Sequence, residues 1–279
     1  MRFSACIEWL FAEAGSDYAA RLRAAAAAGL DAVEFWGWSR HDLDGLRAAS
    51  DETGVRIAAI CAEPFGVLRL GSTADHDAFV DGIRQSCAAA RRLGGAALIV
   101  QSGRRVEDLA LDRQMANLTD ALARAGHIAA GEGITLLLEP INSRITRPDG
   151  LIDSTAMGLD VVASVGQAAV RLLFDRYHSA VMEESVATAI GARWPLIGHV
   201  HVADDPGRNE PGSGQLDWEA LGKQLGAHYG GLVGFEYRPT LASAASVAMA
   251  KSALSRSQAA DAAQQVLHEV ALPPFRGQA

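Results

Sequence analysis

Short apolar runs alternate with longer amphipathic segments along almost the whole chain. The runs predict eight β-strands, at residues 3–7, 32–35, 56–61, 97–101, 134–138, 170–174, 196–202 and 232–235. The segments between them predict helices, at residues 17–28, 42–53, 75–93, 112–130, 154–165, 183–193 and 217–228, followed by a helical stretch at 240–270. An unbroken alternation of strand and helix predicts a parallel sheet with right-handed crossovers.

The number of units favours a closed barrel. Eight strand–helix units in 279 residues give about 35 residues per unit, the size of one βα repeat. An open sheet that binds a dinucleotide would carry a glycine-rich turn after the first strand, but the chain has no glycine between Ile7 and Gly15. We therefore predict an α/β fold, a single (β/α)8 TIM barrel with an extended C-terminal helical tail. Residues 1–270 would form the barrel and its C-terminal helices, and 271–279 a flexible tail.

Composition narrows the classes of partner and compartment. The formal net charge of −8 disfavours a nucleic-acid partner, because phosphate contacts need a basic face. Cys6, Cys61 and Cys87 form no CxxC pair and predict buried thiols. No apolar run approaches the ~20 residues of a membrane span, and the N-terminus lacks a secretory signal. We therefore expect a cytoplasmic protein with no membrane partner.

Lys223 and Lys251 lie away from the strand ends, which argues against Schiff-base chemistry.

Four successive strands each end near a side chain that can bind a metal ion. Glu139, Asp175, His201 and Glu236 are spaced by roughly one βα unit, so in a barrel they would meet at the C-terminal face, where the active sites of TIM barrels lie. Three carboxylates and one imidazole suit Mn²⁺ or Mg²⁺, with Co²⁺ as a further option.

Other polar and aromatic side chains fall near the same face. His178 follows Asp175 by three residues, and Arg208 lies in a loop rich in proline and glycine, where it could hold a carboxylate-bearing substrate. Lesser candidates for the pocket floor or for substrate contact are Glu8, Glu34, Glu63, Gln101 and Asn142. The aromatic residues that would form a pocket wall, or else belong to the core, are Trp9, Phe35, Trp36 and Trp38.

Several of these segments resemble the hydroxypyruvate isomerase family. Residues 137–142 (LLEPIN) resemble its strand-five motif, and 175–178 (DRYH), followed by Met182 and Glu183, resemble its D-x-Y-H…M-E segment. Residues 198–214 are similar to its seventh-strand signature, and 234–239 (GFEYRP) to its last strand. With 29–35 (GLDAVEF), the similarity runs in order from Phe3 to about Thr240. This family belongs to the xylose-isomerase-like TIM barrels, which include ketose 3-epimerases and inosose dehydratases.

The resemblance implies a role for each matching residue. Glu139, Asp175, His201 and Glu236 would be metal ligands, Glu139 and Glu236 would also be the catalytic acid–base pair, and substrate contacts would come from His178 and Arg208. The chain departs from the family at Asn209, where the signature loop often has histidine, and in residues 143–150. His201 stands where some hydroxypyruvate isomerases have glutamine and the epimerases have histidine. These departures leave the substrate open.

The leading hypothesis is a metal-dependent isomerase that uses no nucleotide cofactor. It would interconvert a short α-hydroxy carbonyl acid through an enediolate, as in the conversion of hydroxypyruvate to tartronate semialdehyde. The alternatives are a ketose 3-epimerase, a 2-oxo-tetronate isomerase and an inosose-type dehydratase. A DNA-repair endonuclease is opposed by the negative charge, and a non-catalytic binding protein by the complete ligand set. The expected partner is a small hydroxy-keto acid or a ketose, and a homo-oligomer is left open.

Overall fold

Eight parallel strands close into a barrel in sequence order. The computed structural model describes residues 1–64 and 69–255. The strands are β1 (Arg2–Cys6), β2 (Ala32–Phe35), β3 (Arg56–Cys61), β4 (Ala97–Gln101), β5 (Leu136–Glu139), β6 (Val170–Asp175), β7 (Ile197–Val202) and β8 (Leu232–Phe235). β1 pairs with β8, with Phe3 opposite Val233, and this pairing closes the ring. The predicted (β/α)8 barrel is confirmed.

Helices connect the strands. They are α1 (Tyr18–Ala27), α2 (Leu43–Thr53), α3 (Thr73–Arg92), α4 (Leu111–Gly131), α5 (Thr155–Val165), α6 (Arg176–Val181), α7 (Val186–Ile190), α8 (Trp218–His228) and α9 (243–255). Six of them begin after an aspartate or serine whose side chain accepts a backbone N–H of the first turn, which satisfies a donor that the helix leaves free. These capping residues are Asp17, Asp42, Ser72, Ser154, Asp175 and Asp217.

The helix predicted at 183–193 is shorter than expected, because only α7 lies within that range, and the structure adds a short helix, α6, that the sequence did not predict. α6 begins directly after β6, since the Asp175 side chain accepts the backbone N–H groups of Tyr177 and His178. Glu183 follows α6 and has a φ of 62°, and an α-helix cannot continue through a residue with this left-handed backbone conformation. This early start brings His178 to the end of β6.

The predicted C-terminal helices are described only in part. Residues 243–255 are helical and 240–242 are not, whereas residues 256–270 of the predicted stretch and the tail predicted at 271–279 lie outside the described residues. The domain boundary at residue 270 therefore stays a prediction.

Alternation along the strands divides the side chains between two cores. One set packs outward against the helices, as Val33, Leu138 and Val200 do. Small and apolar side chains fill part of the barrel interior: Ala59, Cys61, Ile99, Leu137 and Leu173. All three cysteines are buried and free, as predicted.

The interior on the side of β1, β2, β7 and β8 is polar. Ser4, Glu34, His199 and His201 are all buried there. Gly234 on β8 leaves room for them, since a Cβ at this position would lie 2.5 Å from Glu34 Oε1 and 2.7 Å from His201 Cδ2. The barrel interior therefore holds a polar network beside an apolar filling.

Candidate metal centre

The same alternation turns four strand-end side chains inward. Leu137 and Leu173 face the barrel interior. Glu139 and Asp175 lie two residues further along β5 and β6, and therefore on the same face of the sheet. His201 near the end of β7 and Glu236 directly after β8 complete the set. All four are buried, with 1–6% of each residue exposed. The structure thus brings the four predicted ligands together.

The ligand atoms of these four residues lie within 4.8 Å of one another. His201 Nδ1 is 3.8 Å from Glu139 Oε1 and 3.6 Å from Glu236 Oε2. This nitrogen is buried and has no hydrogen-bond partner in the part of the chain that the structure describes. A buried nitrogen facing three carboxylates fits a divalent cation, which would take its lone pair and neutralise the acids.

The crowding of these acids perturbs their pKa values in opposite directions. Burial raises the pKa of Glu139 to about 7, with a further contribution from the nearby charge of Glu236, while His201 opposes the shift. Burial would also raise the pKa of Glu236, but Arg208 and His201 outweigh it and lower that pKa to about 2. The two carboxylates therefore differ in proton affinity although they face the same cavity.

Arg208 lies against the acidic cluster. Its Nη2 donates to Glu236 Oε2 at 2.5 Å and to Asp175 Oδ2 at 3.4 Å. The guanidinium carbon lies 5.0 Å from the ring centroids of both Trp9 and Tyr177. The side chain is thereby fixed between two aromatic faces, next to the predicted ligands.

His178 lies beside the same cluster and is neutral. Its Nε2 is 3.6 Å from Asp175 Oδ2, and burial lowers its pKa to about 4. The Asn142 side-chain oxygen accepts the backbone N–H groups of Ile145 and Thr146, so the Asn142 amide nitrogen faces His178 Nδ1 at 2.6 Å. His178 Nδ1 therefore accepts, and its proton is on Nε2.

Glu34 positions His201 from inside the barrel through a hydrogen bond, a role that the sequence alone did not predict. Its Oε2 accepts from His201 Nε2 at 2.8 Å, and its Oε1 is 2.9 Å from His199 Nε2 and accepts from the Ser4 hydroxyl. Burial would raise the pKa of Glu34, but the two imidazoles lower it well below its usual range. The only sequence signal was an acidic residue at an inward position of a strand.

A cavity of about 480 Å³ opens above the acidic cluster, a volume suited to a small molecule. Glu139, Glu236, His178 and Arg208 line it, together with Gln101, Ile145, Thr146, Arg147 and Arg238. Of the predicted wall residues, Trp9 and Trp36 line this cavity, whereas Phe35 and Trp38 pack in the core. Glu8 and Glu63 border a neighbouring cavity instead.

Comparison with known proteins decides the family. The family model described as "Xylose isomerase-like TIM barrel" matches residues 22–266. The chain belongs to this xylose isomerase-like TIM barrel family. The prediction of a barrel from this group is confirmed.

Individual known proteins resemble the chain over most of its length. A human protein named provisionally as a hydroxypyruvate isomerase is 34% identical over 251 residues, covering 86% of this chain and 90% of that protein. The 2-oxo-tetronate isomerase of Cupriavidus necator is 31% identical, covering 91% and 99%. A crystal structure of a Brucella melitensis protein described as an AP endonuclease of family 2 superposes with a TM-score of 0.81 at 25% identity, covering 88% and 96%.

The family relatives confirm the predicted class of enzyme, an isomerase similar to hydroxypyruvate isomerases. Among the described residues, no helix combines the length and the apolar character needed to cross a lipid bilayer.

Proposed function

We propose that this chain is a divalent-metal-dependent isomerase of short α-hydroxy carbonyl acids, with hydroxypyruvate and tartronate semialdehyde as its substrate pair. The observation that carries the proposal is the convergence of Glu139, Asp175, Glu236 and His201 at one cavity, where His201 Nδ1 has no hydrogen-bond partner among the described residues. The names of the human and C. necator relatives support the acid substrate.

These four residues would hold the ion, with Mg²⁺ or Mn²⁺ preferred and Co²⁺ as a third option. When bound, the ion supplies Lewis-acid polarisation of adjacent carbonyl and hydroxyl oxygens.

Glu139 and Glu236 would exchange protons with the two carbons that react. One carboxylate takes a proton from C3 of hydroxypyruvate, and the other delivers a proton to C2 of the enediolate. The hydroxyl proton moves from O3 to O2, so the product is an aldehyde and atoms balance without a redox cofactor. Arg208 and the neutral His178, both beside Asp175, would contact the substrate oxygens near these carbons.

Proton NMR of the purified protein in deuterated buffer with added Mg²⁺ tests the proposal against its neighbours. Hydroxypyruvate, 2-oxo-tetronate and a free ketose are supplied separately. We expect the aldehyde isomer of an acid substrate to form. With the ketose, exchange of a carbon-bound proton and inversion at that carbon without a structural isomer would show an epimerase, which the presence of His201 also fits. An ultraviolet-absorbing dehydrated product would show a lyase. Epimerisation of the ketose or dehydration in place of hydroxypyruvate isomerisation, or no turnover of hydroxypyruvate, would overturn the proposal.

A further inference from the structure

The cations around the cavity differ in their partners. Arg208 is paired through Nη2 with Glu236 and Asp175, although its buried Nε has no hydrogen-bond partner among the described residues. Arg238 is exposed and lies over the ring of Trp9. Arg147 is half-buried, lines the cavity and forms no ion pair with any carboxylate in residues 1–64 and 69–255.

The guanidinium of Arg147 carries an unsatisfied donor. Its Nη1 is buried and has no hydrogen-bond partner within the described ranges. Burial and the nearby charge of Arg104 lower its pKa, but an arginine remains protonated at neutral pH. A buried charged donor without an acceptor costs free energy, so this part of the cavity is complementary to an anion.

The loop that carries Arg147 is anchored at several points. The backbone N–H of Arg147 donates to the carbonyl of Asn142 at 3.0 Å, and its carbonyl accepts from Gly150 at 2.9 Å. The loop is also joined to the one after β4, where the backbone N–H of Leu151 donates to Gly103 at 3.0 Å. The backbone of Arg147 is therefore placed before a ligand binds, which lowers the entropy cost of recognition.

An unsatisfied acceptor lines the same cavity. Gln101 at the end of β4 lies opposite Glu139 in the β4–β5 register, and it lines the cavity with Arg147. Its Oε1 is buried without a donor among the described residues. An acidic substrate with a hydroxyl group offers both an acceptor for the arginine and a donor for the amide.

We propose that Arg147 binds the carboxylate of the substrate and so selects short hydroxy-keto acids over neutral ketoses. This inference rests on the proposed function for the identity of the acid. Arg208, already held by the acidic cluster, would contact the oxygens at the reacting carbons, and Arg147 the other end of the molecule.

The test uses D-glycerate, an acid of similar size that has no carbonyl group to isomerise. Calorimetry measures its affinity for the Mg²⁺-loaded protein and for Arg147→Met, Arg147→Lys and the control Arg144→Met. Arg144 lies on the same loop, pairs with Glu183 at 2.7 Å and does not line the cavity. The affinity of each variant for Mg²⁺ and its KM and kcat for hydroxypyruvate are measured in parallel.

We expect Arg147→Met to weaken D-glycerate binding by about 10- to 100-fold, the effect of losing a charge-assisted hydrogen bond. KM for hydroxypyruvate should rise more than kcat falls, and the Mg²⁺ affinity should stay unchanged. Arg147→Lys should fall between wild type and Arg147→Met, because it keeps the charge but not the two-pronged geometry. It also serves as the test if Arg147→Met does not fold. Arg144→Met should behave as wild type.

Three results would overturn the inference. Arg147→Met could bind D-glycerate as tightly as the wild type, it could lose no more affinity than Arg144→Met does, or the wild type could fail to bind D-glycerate. The proposed function fails separately. If Arg147→Met loses D-glycerate binding but the wild type does not turn over hydroxypyruvate, the carboxylate site is supported and the proposed reaction is refuted. If the wild type turns over hydroxypyruvate but Arg147→Met keeps the same KM, the reaction is supported and the carboxylate site is refuted.

Discussion

Replacing Glu34 with glutamine should weaken metal binding although Glu34 is not one of the four proposed ligands. Its carboxylate accepts from His201 Nε2 at 2.8 Å and lies 2.9 Å from His199 Nε2. With Nε2–H held in this way, His201 Nδ1 presents its lone pair to the carboxylates of Glu139 and Glu236. A glutamine amide can accept from one imidazole only, and its NH₂ group would face the N–H of the other.

The size of the effect follows from the bond that is lost. A hydrogen bond to a buried charged acceptor contributes about 1.5–3 kcal/mol, and loss of such a partner behind a metal-ligating histidine costs about 10- to 100-fold in metal affinity. Ser4→Ala removes only the hydroxyl that donates to Glu34 and keeps both imidazole contacts. We therefore expect Ser4→Ala to weaken metal binding less than Glu34→Gln does.

The assay is a titration of metal-free protein with Mn²⁺, followed by the electron paramagnetic resonance signal of the free ion. Circular dichroism shows whether each variant is folded. A folded Glu34→Gln protein that binds Mn²⁺ as tightly as wild type would refute the argument that Glu34 positions His201.

Three further predictions concern the same centre. Glu139→Gln and Glu236→Gln should each lower kcat for hydroxypyruvate by at least about 100-fold with the fold intact, and near-native turnover in either would contradict the two-base scheme. Metal binding should release a proton and tighten as the pH rises through about 7, because burial raises the pKa of Glu139 to about 7 and the ion needs the ionised carboxylate. Calorimetry in buffers of different ionisation enthalpy measures this release, and a pH-independent affinity would argue against it. Gly234→Ala should cost about 1–3 kcal/mol in the free energy of urea unfolding, since its Cβ would overlap Glu34. Gly230→Ala, with no atom within 4 Å of its Cβ, should not show that loss.

The barrel and the four proposed ligands were predictable because both depend on short-range periodicity. Eight strand–helix repeats specify the closed sheet, and the strand ends then meet at one face. The alternation that turns Leu137 and Glu139 to the same side is a property of any strand. No information about distant contacts was needed to place Glu139 and Asp175 at the same site.

The features that the sequence did not predict depend on contacts across the barrel or on irregular backbone. Glu34 meets His201 only because the ring closes, across 167 positions of sequence. The break between α6 and α7 depends on the backbone conformation of Glu183, which no periodic pattern encodes. Arg147 lies in a loop without periodicity, and only the structure shows that its Nη1 has no hydrogen-bond partner within the described ranges.

The most direct test of the central claim is turnover of hydroxypyruvate by metal-stripped protein as Mg²⁺ or Mn²⁺ is added back. We expect no isomerisation without metal, and activity that rises to a plateau at one bound ion per chain. We also expect tartronate semialdehyde to carry one solvent deuterium at C2 when the buffer is deuterated. Full activity in protein shown by elemental analysis to lack metal, or no aldehyde product at metal saturation, would contradict it.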